Sequence, residues 1–89
     1  MIATIEISMY PLTDGYKSKI IDFIRRLKLN KNIRIEVLGL STQLVGEYDL
    51  LMDVLKNEMR NDFEKGKAVF LLKIVGVEMT KETLPEELK

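Results

Sequence analysis

Two segments of the chain carry side chains able to meet a small polar ligand. The first is Ile5-Glu6-Ile7-Ser8-Met9-Tyr10-Pro11-Leu12, where a carboxylate, a hydroxyl and a phenol alternate with apolar residues. The second is Gly39-Leu40-Ser41-Thr42-Gln43-Leu44-Val45-Gly46-Glu47-Tyr48-Asp49, which gathers hydroxyls, an amide and two carboxylates at an apparent strand-to-helix junction. Short hydroxyls both donate and accept, so Ser8 and Thr42 suit a ring whose edge presents donors and acceptors together. Glu6 and Glu47 are the candidate anions for an amine or a cation. Tyr10 is the candidate to stack on a flat ring or sit over a cation. Each residue also has a plainer role. Ser8 and Thr42 suit cross-strand hydrogen bonds. Glu6 suits a solvated surface, and Glu47 a helix start, where the dipole favours an acid. Tyr48 fits the apolar stripe of a helix. Asp49 reads as that helix's N-cap, and Gly46 as a bend or a point of close backbone approach.

Composition restricts the chemistry further. The 89 residues contain no histidine and no cysteine, so disulfides, Cys/His zinc sites and histidine-based triads are excluded. No metal-ligand spacing, phosphate-cradling glycine loop or nucleophile–base pair stands out, and no cofactor, metal site or catalytic residue is expected. Lys plus Arg and Asp plus Glu are 14 each, giving a net charge of zero, which argues against a nucleic-acid partner. No apolar run approaches the ~20 residues that span a bilayer, so no membrane role is expected. The N-terminus leads straight into a strand pattern, which makes the cytoplasm the default location.

The elements that must position these side chains follow from periodicity. Ala3, Ile5, Ile7 and Met9 alternate with Thr4, Glu6, Ser8 and Tyr10, the mark of a strand with one buried and one polar face, ended by Pro11. After the Thr13-Asp14-Gly15 turn, Tyr16, Ile20, Phe23, Ile24 and Leu27 recur at helical spacing, predicting a helix from about Tyr16 to Lys28. Ile33, Ile35 and Val37 give a second strand. Gly39-Leu40 reads as a two-residue type II′ hairpin loop, and Ser41 to Glu47 as a third strand. Tyr48, Leu51, Met52, Leu55, Met59 and Phe63 mark a second helix that ends at Lys65-Gly66. Ala68 to Val75, rich in Val, Leu and Phe, is a fourth strand.

This order predicts an α+β, ferredoxin-like βαββαβ sandwich: a four-stranded antiparallel sheet in order 4-1-3-2 with two helices on one face. Residues 1–79 form the single domain, and 80–89 an exposed or loosely docked tail. The fourth strand is apolar on both faces, with Ala68, Phe70, Leu72 and Ile74 on one and Val69, Leu71 and Val75 on the other. An edge strand of that kind needs a cover, which a second subunit supplies on the open sheet face, so a homo-oligomer (dimer or tetramer) is expected.

Three segments in series, Ile5 to Leu12, Ser41 to Met52 and Gly66 to Ile74, resemble the YkoF-like family of thiamine- and hydroxymethylpyrimidine-binding proteins. The resemblance spans about residues 2 to 76. It departs where Thr13 replaces a glycine frequent in relatives, where Val45 replaces an acid, and where Val75-Gly76-Val77 replaces a charged cluster. The resemblance implies a binder of thiamine, hydroxymethylpyrimidine or a related heterocycle; with the residue chemistry above, the expectation is a cytoplasmic, non-catalytic binding protein with Glu6, Ser8, Tyr10, Thr42 and Glu47 as the ligand-contacting set. Two other readings share the element order: an ACT-like module binding amino acids, and a small dimeric ferredoxin-like enzyme.

Overall fold

The computed structural model describes residues 1–79 and 85–88. The elements are β1 (Ile2–Pro11), α1 (Tyr16–Leu27), β2 (Arg34–Val37), β3 (Thr42–Glu47), α2 (Tyr48–Lys65) and β4 (Ala68–Val75). The four strands form one antiparallel sheet in the order β2-β3-β1-β4, the ferredoxin-like arrangement expected from the pattern. Pairing of β1 with β3 sets Ile5 opposite Leu44, and its pairing with β4 sets Ile5 opposite Ile74, so these residues share the helix-covered face. Ala3, Ile5, Ile7 and Met9 from β1 then meet Phe23 and Leu27 of α1 and Leu51 and Leu55 of α2 in one core. Fully burying one such Leu, Ile or Phe contributes roughly 1.5–3 kcal/mol.

Two features fix the helices over the sheet. Phe70 of β4 packs against Phe23 of α1 at 5.2 Å and edge-on against Phe63 of α2 at 5.4 Å. Arg26, which reads in sequence as part of a polar helix side, instead crosses between the helices. Its guanidinium donates to both carboxylate oxygens of Asp62 at 2.7 and 2.8 Å, to Glu58 at 2.5 Å and to Asp22 at 2.9 Å. Burial opposes its charge, but the bonds to Asp62, Glu58 and Asp22 outweigh burial and raise its pKa further.

Local expectations needed three corrections. The Gly39-Leu40 type II′ turn is not formed, because no glycine among the described residues has positive φ. Pairing of β2 with β3 stops at Val37 opposite Thr42, leaving Leu38–Ser41 as a loop. The Leu38 N–H donates to the Ser41 carbonyl at 2.8 Å, and the Ser8 hydroxyl holds the Leu40 carbonyl at 3.2 Å. Asp49 is not the N-cap of α2. The Tyr48 N–H donates to the Met1 carbonyl at 2.9 Å, so the helix starts directly after β3 and Glu47 takes the cap position, accepting from the Leu50 N–H at 3.0 Å. Helix α1 ends one residue early, at Leu27, where the Asn30 amide donates to the Leu27 carbonyl at 3.1 Å.

Of the expected 80–89 tail, Thr80–Leu84 and Lys89 lie outside the described residues. Pro85 to Leu88 are exposed, with a short 3-10 turn at Glu86–Leu88.

Candidate functional site

The two strand partners of β1 do not run equally far. Pairing with β3 ends at Ile7 opposite Thr42, whereas pairing with β4 continues to Pro11 opposite Ala68. From Ser8 onward β1 is therefore paired on one side only. On the other side a cavity of about 170 Å³ opens, walled by Ser8 and Tyr10, by Ile20, Phe23 and Ile24 of α1, and by the loop from Val37 to Thr42. Its walls are largely apolar and aromatic, with a few polar groups at the rim of the sheet, the usual build of a small-molecule site.

Three of the sequence-predicted site residues, Ser8, Tyr10 and Thr42, line this cavity. Ser8 spends its proton on the Leu40 carbonyl and keeps its lone pairs. Tyr10 is half-exposed at the rim. Thr42 lies opposite Ile7 and so belongs to the helix-covered face, not to the polar face of β1. It is 5% exposed, and its hydroxyl makes no hydrogen bond within the described residues.

The two carboxylates are elsewhere. Glu6 is on the open face, opposite Gln43 and Lys73, with the Lys73 ammonium 3.8 Å away in an exposed pair. Such a pair contributes little. Glu47 is at the far end of β3, engaged as the α2 cap and 3.6 Å from the Met1 ammonium. The Leu50 N–H holds its carboxyl below the usual range against opposing desolvation, aided by the Met1 ammonium and the Asp49 N–H. The structure thus does not bring Glu6 and Glu47 to Ser8, Tyr10 and Thr42, because alternation turns Glu6 outward and the length of β3 carries Glu47 away. Tyr48 packs on the core. Val45 is buried opposite Thr4 on the other sheet face, away from the cavity. Thr4 itself is covered: its hydroxyl donates to the Val77 carbonyl at 2.8 Å and accepts from the Met79 N–H at 2.9 Å.

The wall residues Ile20, Phe23 and Ile24 read in sequence only as core. One signal for the site was present: Leu38 and Leu40 are apolar residues in a turn, and Leu40 remains 95% exposed beside the cavity.

Among the described residues no group of His, Cys, Asp and Glu is arranged to hold a metal ion, and no helix is long and apolar enough to cross a membrane. No family model and no curated protein sequence matches the chain. Solved structures do match. Protein SP2199 of Streptococcus pneumoniae superposes with a TM-score of 0.81 at 26% identity, over 99% of this chain and 98% of that one. TM0486 of Thermotoga maritima, a candidate thiamine biosynthesis/salvage protein, gives 0.75 at 20% identity, over 99% and 94%. A domain of unknown function, DUF77, from Bacillus cereus gives 0.73 at 25% identity, over 92% and 85%. The chain shares their fold.

Proposed function

We propose that this chain is a non-catalytic, cytoplasmic binding protein for a planar, amine-bearing heterocycle of the hydroxymethylpyrimidine class, held in the cavity at the free end of β1. The observation that carries this reading is the Thr42 hydroxyl, which lines the cavity, keeps contact with its solvent and has no protein partner within the described residues. A hydroxyl free both to donate and to accept at the cavity wall suits a ring nitrogen or an exocyclic amine. Ser8 offers a second acceptor and Tyr10 a stacking face. The volume of about 170 Å³ falls below the ~300–1,000 Å³ of sites for drug-sized ligands, so it suits one ring better than the two of thiamine. The thiamine-related description of the Thermotoga neighbour supports the same ligand class.

Charge narrows the choice. No Asp, Glu, Lys or Arg lines the cavity, which favours a neutral ring over a cation, a carboxylate or a phosphate. An ACT-like amino-acid site would need partners for both an ammonium and a carboxylate. Isothermal titration with hydroxymethylpyrimidine, thiamine, thiamine diphosphate and free amino acids tests the reading. Hydroxymethylpyrimidine is expected to bind at least as tightly as thiamine and more tightly than the diphosphate. An amino acid or the diphosphate binding tenfold tighter than the ring would overturn it.

The protomer is further proposed to assemble through the open sheet face. Tyr10 opposite Val69 and Ser8 opposite Leu71 put exposed apolar groups side by side there, next to Val75 and Val77.

A further inference from the structure

A second cleft, of about 330 Å³, lies on the other side of α1, between the β1–α1 connection and the end of α2. Lys19 of α1, Lys65 at the end of α2 and Lys67, directly before β4, line it together with Thr13. None of these lysine ammonium groups makes an ion pair or hydrogen bond within the described residues. The single acid in the lining, Asp62, makes no direct ion pair with them; both of its oxygens accept from Arg26. Asp22 and Glu58, the other acids of that network, are not in the lining and are themselves bound to Arg26.

Helix electrostatics account for only part of this. Lys65 stands in the last turn of α2, where the dipole favours a cation. Lys19 belongs to the N-terminal half of α1, where the dipole gives a cation no support. Three like charges from three segments repel one another, and Asp62, the one acid in the lining, offsets only part of that repulsion. We propose that this cleft is a phosphate site: Lys19, Lys65 and Lys67 bind the charged oxygens of inorganic phosphate or of a phosphomonoester, with the Thr13 hydroxyl as a neutral donor. Ammonium–phosphate bonds are charge-assisted and among the stronger polar contacts.

This site is distinct from the heterocycle cavity. Lys19 and Ile20 are consecutive in α1 and line different hollows, and Met9 is shared by both walls. The proposal therefore stands or falls separately from the heterocycle reading.

Inorganic phosphate and a small-alcohol phosphomonoester, each titrated at constant ionic strength with chloride as the balancing anion, test it by amide chemical shifts. Saturable shifts are expected at Thr13, Lys19 and Gly66. Lys19→Gln and Lys67→Gln are each expected to weaken binding about tenfold, the loss of one charge-assisted contact. Lys31→Gln, in a different cleft, is expected to leave it unchanged. Equal affinity for both compounds identifies the free anion as sufficient; tighter phosphomonoester binding identifies an organic phosphate. Shifts that follow ionic strength alone, or that persist equally in Lys19→Gln and Lys67→Gln, overturn the proposal. So does a loss of stability in these variants without any change in phosphate affinity, since that would make the lysines partners of the Arg26 network.

Discussion

Replacing Thr42 by valine exchanges a hydroxyl for a methyl and separates binding from folding. Both residues are β-branched, so strand preference at the start of β3 is retained. In the free protein the hydroxyl contributes no bond within the described residues, although Thr42 is only 5% exposed. Its oxygen is not among the buried polar atoms without a partner, so solvent in the adjoining cavity satisfies it in the free protein. Stability is therefore expected to change by no more than about 0.5 kcal/mol in Thr42→Val. In the complex the substitution removes one hydrogen bond, worth about 1 kcal/mol net. At ~1.4 kcal/mol per decade, that is about a fivefold rise in Kd. Urea denaturation of the free variant and isothermal titration with hydroxymethylpyrimidine measure the two effects separately. Unchanged affinity would put the ring elsewhere. A stability loss above about 1 kcal/mol would mean that the fold already uses the hydroxyl.

Two further outcomes follow from the packing. Arg26→Met is expected to destabilise by about 3 kcal/mol in urea, the low end for breaking a buried ion pair, because it strands Asp62, whose side chain is 7% exposed; a loss below about 1 kcal/mol would refute the bridging role. The wild-type chain is expected to scatter light as a species larger than its 10.3 kDa protomer, and Leu71→Asp, at an exposed position of the open face, to dissociate it while preserving the protomer's circular dichroism; a wild-type monomer would refute assembly.

The fold was legible because its signals are local and agree with one another. Alternation in Thr4 to Tyr10, the helical spacing from Ile20 to Leu27, and the apolar run from Ala68 to Val75 each fall where the structure has β1, α1 and β4. The site was legible only in part. Ser8 and Tyr10 lie where a polar strand residue near the end of β1 would be sought. Thr42 has the right chemistry, yet its face depends on pairing with Ile7, which no local pattern reveals. Glu6 and Glu47 carry suitable charges in the wrong places: one turns outward by alternation, and the other is consumed as a cap. The cap itself was missed because β3 runs into α2 without a linker, so Asp49 falls two positions past the cap, inside the helix. Arg26 was missed because its partners Glu58 and Asp62 are 32 and 36 residues away.

The cavity itself arises from a difference in strand length. β1 has 10 residues and β3 has 6, and the excess of β1 projects past the 38–41 loop. Which side chains meet in that gap is then a question of register. A slip of β3 by one residue would turn Thr42 and Leu44 to the open face and bring Gln43 and Val45 against the helices. The register is held because Leu44 is fully buried between Ile5 and Ile35 of the flanking strands, and because the Tyr48 N–H bonds to the Met1 carbonyl at the opposite end of the sheet. The residues that aim the Thr42 hydroxyl into the cavity are thus apolar core residues and a backbone bond far from it. Core substitutions at Leu44 or Ile35 that loosen this pairing should therefore reach the site through register, without touching any group that lines it.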